Sequence, residues 1–365
     1  MPLTDEQMDE STPLFVEQLQ TKFTNTDTGY IVDNVTRNPV WCLSVSAFES
    51  WFSELESALN QTLGRRLAHA AAESEEWYWG MAPAFPKSWF SQQKKRISLV
   101  NADWNLRGMG QIDLLESADG RSTIIIANRA NSAVAAGMGN AAWECIEEQR
   151  FRFQWSDRGV GETVVELTPD KRPIPSPKNS AVPWPNNAGI ACSDERNYHR
   201  ARHEMDGMWT VEGNRVMMLF QDAIIRFEQL TLPYLAKTER SSDSRTEWVN
   251  IDSHDQVVLW DSMAEAARKQ FLASGALVLI ATKEHWMDVA SRHLSMEGLG
   301  CVEHASSIDD NGGVELTLPA AIHPAIVVGR LLGCWERAEG RAAKATWEST
   351  SKSHRIVLQS RREIA

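Results

Sequence analysis

The chain has 365 residues, 42% of them hydrophobic and 24% charged, with a formal net charge of -12. That length accommodates two or three domains with a core each, and the composition is that of a globular chain rather than a disordered one. The acidic balance argues against a nucleic-acid partner, which needs a basic face, and the longest apolar run, Ala276 to Ala281, is too short to span a bilayer.

Residues 1–38 form an acidic lead-in with a short helix expected around Leu14 to Lys22. Met1 to Glu10 lacks an apolar centre, so it does not resemble a secretory signal. From Ser46 to Ala72, Phe48, Trp51, Phe52, Leu55, Leu59, Leu63 and Leu67 recur at three and four residues, predicting a helix with one buried face. Pro83 and Pro86 break the chain, and another helix is expected over Lys87 to Val100 with Trp89 and Ile97 inward. The basic clusters Arg65-Arg66 and Lys94-Lys95-Arg96 read as solvated helix faces.

A hairpin follows, from Gln111 to Glu116 and Thr123 to Ala127 about the turn Ser117 to Gly120. Then come a small-residue helix from Ser132 to Glu148 and a second hairpin, Arg150 to Ser156 and Glu162 to Leu167. The same order returns later: Gly300 to Ile308, a turn at Asp309 to Gly313, Val314 to Leu318, a helix from Pro324 to Glu339, then Ala342 to Trp347 and Ser353 to Gln359. The landmarks Gly120, Ile124, Gly137, Trp143-Glu144, Trp155 and Val164-Val165 recur as Gly312, Leu316, Gly329, Trp335-Glu336, Trp347 and Ile356-Val357 at one constant separation. Tryptophan rarely coincides by chance, so the pattern reads as an internal duplication. The expected fold is α+β: a module of helices, hairpin, helix and hairpin, present twice and paired about a pseudo-twofold axis.

Between the copies, Pro169, Pro173, Pro175, Pro177, Pro183 and Pro185 mark a semi-rigid linker. Asp194 to Met208 and Arg215 to Lys237 read as helices, the latter with Val216, Leu219, Phe220, Ala223, Phe227 and Leu230 on one stripe. The expected organisation is therefore a lead-in (1–38), a first module (39–168), a linker (169–190), a helical connector (191–240) and a second module (241–365).

Cys42, Cys145, Cys192, Cys301 and Cys334 are odd in number and contain no CxxC pair, so neither a zinc knuckle nor a disulfide framework is indicated. The natural compartment for such a chain is reducing, and a cytoplasmic location is expected. His199 and His203, with Cys192, Glu195, Glu204 and Asp206 near, have the spacing of two metal-binding imidazoles on a helix. Their neighbours Arg200 and Arg202 make a solvated helix the better reading, and no metal is assigned. Asp309-Asp310-Asn311-Gly312-Gly313 lacks the alternation of a calcium loop and reads as a hairpin turn. Serine-nucleophile, P-loop and dinucleotide signatures are absent, and no cofactor is indicated. Gly108-Met109-Gly110 and Gly298-Leu299-Gly300 precede strands and read as helix C-caps.

The paired positions supply the candidate ligand-binding residues: Gly137, Trp143, Glu144, Gly329, Trp335 and Glu336. Glycine inside a helix costs about 0.5–1 kcal/mol against alanine, so something must approach Gly137 and Gly329 closely. Packing is the plain explanation, and a ligand wall or a contact between the modules is the functional one. Each Trp-Glu pair either fills a core or lines a cavity, where Trp stacks on a planar ligand and Glu accepts a proton or hydrogen bond. The count of 15 Trp against 4 Tyr adds weight to binding without naming a ligand.

The order strand, turn, strand, small-residue helix, strand, glycine, strand resembles the 4-vinyl reductase domain family, relatives of haem-NO-binding and TRAPP-type subunits, over about 45–168 and 250–360. In that family the last hairpin carries two cysteines flanking a glycine. Here these places fall on Trp155, Gly159 and Thr163, and on Trp347, Ser351 and Arg355, so thiol or metal chemistry does not carry over. The resemblance implies a small-molecule-binding or subunit-pairing module. The expected function is non-catalytic: binding of a hydrophobic or planar small molecule, or scaffolding through self-association or a protein partner. The alternative is an enzyme with a site between the modules and Glu144 or Glu336 as acid or base.

Overall fold

The computed structural model describes residues 11–85, 92–174, 178–192 and 198–362. The sequence expectations at Met1 to Glu10, Pro86, Lys87, Trp89, Pro175, Pro177, Asp194 and Glu195 lie outside them. The fold is α+β. In chain order it begins with α1 (Ser11–Lys22), β1 (Phe23–Asn25), β2 (Ile31–Asp33), β3 (Pro39–Ser44), α2 (Val45–Leu59), α3 (Gly64–Met81) and α4 (Gln92–Arg107). The hairpin β4 (Gln111–Ala118) and β5 (Arg121–Ala127), helix α5 (Ser132–Glu147) and the hairpin β6 (Phe151–Asp157) and β7 (Thr163–Pro169) follow.

After the proline-rich stretch come β8 (Ala201–Met205), β9 (Met208–Val211), β10 (Asn214–Phe220), α6 (Gln221–Thr231), β11 (Thr246–Trp248), α7 (His254–Ala273) and α8 (His285–His293). Strands β12 (His304–Ser307) and β13 (Val314–Leu318), helix α9 (Pro324–Glu339) and strands β14 (Ala343–Ser349) and β15 (His354–Ser360) complete it.

Several elements differ from the sequence expectation, each for a physical reason. The expected helix over Ser46 to Ala72 is two helices. Asn60 turns left-handed with φ 50 and ends α2, and the Leu63 N–H is taken by Glu56 before α3 begins. Residues 201–205 are strand β8 rather than helix, which places His203 on a strand and leaves no i, i+4 helical imidazole pair. Residues 214–220 are strand β10, not the start of a long helix. Met217 and Leu219 enter one core cluster while Val216, Met218 and Phe220 enter another, so both faces are covered. A strand buried on both faces has a continuous apolar run, which periodicity cannot tell from a helix.

The strands form three sheets, in the orders β1-β2-β3-β10-β9-β8, β4-β5-β7-β6 and β11-β14-β15-β13-β12. The six-stranded sheet is central, and each half of the chain contributes three strands to it. Its middle pair, β3 and β10, is antiparallel, with Trp41 opposite Leu219 and Cys42 opposite Met218. The helices above it exchange partners, α2 packing on α7 and α6 on α3. Neither half therefore closes its own core.

The two Gly-x-Gly segments dock across the same junction. A Cβ on Gly108 would stand 2.3 Å from the Val216 carbonyl oxygen of β10, and one on Gly298 would stand 2.3 Å from that of Val40 in β3. The Gly110 N–H donates to the Gly207 carbonyl at 3.0 Å, and the Gly300 N–H donates to that of Gly29 at 3.2 Å. Both segments carry φ values that only glycine adopts without strain, +68 and +100 in the first and +76 and +127 in the second.

The helical glycines are packing sites. A Cβ on Gly137 would lie 1.9 Å from the Ala68 carbonyl oxygen of α3, and one on Gly329 would lie 2.1 Å from that of Ala264 in α7. The sequence pattern slips in one place: Trp155 faces Val165, but Trp347 faces Ile356, because the second hairpin loop is one residue shorter. Such a slip flips every following side chain, so Val165 and Leu167 correspond to Ile356 and Leu358 as inward residues.

Gly137→Ala and Gly329→Ala should each cost about 3 kcal/mol or more, because backbone cannot yield to the new methyl. Gly64 at the start of α3 has open space around its Cβ position, and Gly64→Ala should stabilise by about 0.4–1 kcal/mol. Urea unfolding of the three variants checks both signs, and equal small effects would refute the packing account.

Candidate functional site

The residues paired by the sequence pattern occupy cores. Trp143 is 0% exposed and Trp335 1% exposed, the latter donating its indole N–H to the Gly312 carbonyl at 2.8 Å. Glu144 Oε1 accepts from the Phe151 N–H at 2.8 Å, and Glu336 Oε1 accepts from that of Ala343 at 2.8 Å. Each glutamate thus ties the last turn of a helix to the strand that follows. Arg150 adds an ion pair to Glu144 at 2.8 Å, while Arg268 and Arg245 pair with Glu336 at 2.5 and 3.1 Å. Burial raises the Glu144 pKa, and the Phe151 N–H and Arg150 oppose that shift. The structure does not bring the two Trp-Glu pairs together around one cavity. Trp335 borders a small cleft of about 150 Å³ beside the 309–313 turn.

The tryptophan excess is likewise spent mainly on packing. Trp184, Trp248, Trp260 and Trp347 form edge-on and tilted contacts with one another and with His323 and His354. Glu228 closes this cluster, accepting from the Trp260 indole at 2.9 Å and meeting His323 Nε2 at 2.9 Å. His354 is buried with its pKa pushed down to about 4 by that burial.

A second cluster is ionic. Lys22 of α1 reaches Asp103 at 2.6 Å and Asp33 at 3.0 Å, Arg107 bridges Asp103 at 2.8 Å and Glu75 at 2.6 Å, and the Tyr78 hydroxyl donates to Asp103. Trp104 and Trp79 also donate to Glu75. Burial works to raise the Asp103 pKa, but Arg107 and Lys22 outweigh it and hold that carboxyl below its usual value. Every charge has a partner here, so the cluster orients helices rather than offering a reactive group. Among the described residues no group of His, Cys, Asp and Glu suits a metal ion. All five cysteines are free, and burial raises Cys42, Cys145, Cys301 and Cys334 to about 12, which keeps these thiols protonated.

The open chemistry lies where the halves meet. A cleft of about 580 Å³ is bounded by β3 and the first turns of α2 on one side, and by β9, β10, the end of α7, α8 and α9 on the other. Leu43, Val216 and Phe271 supply an apolar floor. Ser44 caps α2, its side chain accepting from the Ala47 N–H, and Ser46, Ala47 and Ser50 line the wall. Arg330 projects from the apolar helix α9, 5% exposed, paired with Glu297 at 2.7 Å and lying 5.5 Å from the Phe271 ring centre. Arg292 is exposed at the rim and has no carboxylate partner among the described residues. Burial and then Arg330 press His293 down to about 4, against a backbone hydrogen bond to Leu277, so this ring is neutral at physiological pH.

Sequence reasoning missed this site because its residues come from seven elements with no shared motif. One signal was available: Arg330 stands alone in the apolar run from Pro324 to Trp335, where an unpaired charge would be costly. The chain matches no protein-family model, no curated protein and no solved structure. No helix among the described residues is long and apolar enough to cross a membrane.

The ionic cluster predicts a defined pH response. A carboxyl held below its usual pKa stabilises the fold above pH of about 4, and that contribution disappears as pH falls through the depressed value. Asp103→Asn should therefore be less stable than wild type at pH 7, with the gap closing as pH falls through the depressed value. Arg107→Met, which strands Glu75, should cost about 3–5 kcal/mol at pH 7. Urea midpoints across pH test both, and a gap constant with pH would refute the assignment to Asp103.

Proposed function

We propose that this chain is a non-catalytic binding protein, an internal duplication whose halves pair about a pseudo-twofold axis, and that its ligand enters the cleft between them. The observation that carries this reading is the convergence, over an apolar floor, of Arg292, Arg330 and the capped start of α2. A helix start presents unpaired N–H groups and the positive end of its dipole, which suits an anionic group. The floor of Leu43, Val216 and Phe271 suits a flat or aliphatic body. The ligand class is thus a small amphipathic anion. Small-molecule binding is also what the 4-vinyl reductase-like resemblance implies. No observation favours the acid-base alternative, since Glu144 and Glu336 are both engaged in ion pairs and strand contacts.

Anilinonaphthalene sulfonate, a planar apolar anion, serves as the probe. It should occupy one saturable site, seen as enhanced dye fluorescence. Arg292→Glu reverses the rim charge and Ser50→Trp fills the wall, and both positions are exposed, so folding should be retained. Each should weaken the probe by about tenfold, equivalent to one good charge-assisted contact. Unchanged affinity in both variants would sink the proposal.

A further inference from the structure

The two four-stranded cores differ at one edge. In the second half, strand β14 is covered by β11, which runs parallel to it with Thr246 beside Ala345 and Trp248 beside Trp347. The Ala345 N–H donates to the Arg245 carbonyl at 2.8 Å, and the Val249 N–H donates to that of Trp347 at 2.9 Å. Trp248 then packs on Trp347 and Trp260, with ring centres 6.0 and 5.1 Å away. Trp347 is left only 2% exposed.

In the first half, among the described residues, no strand covers the corresponding edge. Strand β6 ends its sheet. Asp170 N–H donates to the Arg150 carbonyl and Arg158 N–H donates to that of Glu162, so even-numbered β6 residues bond inward to β7. The N–H and C=O groups of Phe153 and Trp155 consequently point out of the sheet, as those of Ala345 and Trp347 do before β11 meets them. Trp155 is half-buried, stacked on Phe153 at 6.0 Å. The helix beside this edge is also pared back. Four residues before the carbonyl touched by Gly329 stands Trp260, whereas four before the one touched by Gly137 stands Gly64, with open space at its Cβ position. The connection that carries β11 in the second half is reduced to residues 60–63 in the first.

We propose that the β6 edge is a docking site for an extended segment of a partner protein, which adds to the sheet in parallel as β11 does in the other half. Main-chain bonds to Phe153 and Trp155 hold it, and a large aromatic side chain fills the space between Trp155 and Gly64. The residue before that aromatic faces Gln154 and the exposed Arg152, whose Nε pairs with Asp170 at 3.2 Å, so an acidic residue that meets the terminal guanidinium nitrogens fits there, as Glu247 meets Thr346 in the second half. The occupant is thus an extended strand bearing an acidic residue followed by an aromatic one. This site is separate from the cleft and does not rest on it.

The chain's own residues 244–251, made as a fluorescein-labelled peptide, are the probe for the full-length protein. Fluorescence polarisation should show saturable binding. N-methylation at the Val249 position removes the N–H that would meet Trp155 and should weaken binding by about tenfold, whereas N-methylation at Trp248 faces away and should change it by less than about twofold. The Trp248→Ala peptide and the protein variant Trp155→Ala should each weaken binding by about tenfold. The methylation pair needs no protein variant, so a misfolded Trp155→Ala would not blunt the test. No saturation up to about 1 mM, or equal affinities for the two methylated peptides, would overturn the proposal.

Discussion

Everything in this molecule depends on the close approach of backbone to backbone where the halves cross. Gly108 and Gly110 lie on the strand and turn of the second half, and Gly298 and Gly300 lie on those of the first. A side chain at Gly108 or Gly298 would push the segment after α4 or α8 away from the central sheet, because what it would strike is a carbonyl group of β10 or β3. The same crossing sets α2 against α7 and α6 against α3. The cores beneath are then closed by residues from both ends of the chain, and the tryptophans fill the remaining volume.

The two crossings are alike in backbone and opposite in charge. Arg107 precedes the first Gly-x-Gly and pairs with Glu75, with Lys22 of α1 adding a second cation nearby. Glu297 precedes the second and pairs with Arg330. The first is sealed by α1, and the cleft lies at the second. The two crossings share their backbone contacts, and the proposed binding sites lie where the two sides differ: at the open cleft, and at the edge of β6.

Much of this was legible in the sequence. The boundaries of α5 and α9, both flanking hairpins and the closeness of something to Gly137 and Gly329 follow from periodicity, turn residues and the cost of a helical glycine. What was illegible has a common cause. Val216 to Phe220 is a strand covered on both faces, and its unbroken apolar run carries no period. Trp143, Glu144, Trp335 and Glu336 were marked by their recurrence, but recurrence reports what the fold needs. A Glu that ties a helix end to the next strand is as constant as a catalytic one. The cleft residues Ser44, Arg292 and Arg330 come together only through the crossing of the halves, which no local pattern encodes.

The crossed arrangement also has a bearing on how the chain is made. Strand β3, with Val40, Trp41 and Leu43 buried in the finished protein, pairs with β2 on one edge, but its other edge finds β10 only far downstream. While the ribosome is still adding the intervening residues, that second edge is unpaired and apolar, the kind of surface that pairs with whatever strand is nearest. The first half is thus not a finished domain awaiting a second. It is an intermediate that needs shielding for the time it takes to translate more than a hundred residues, roughly 5–20 seconds or more at ordinary elongation rates.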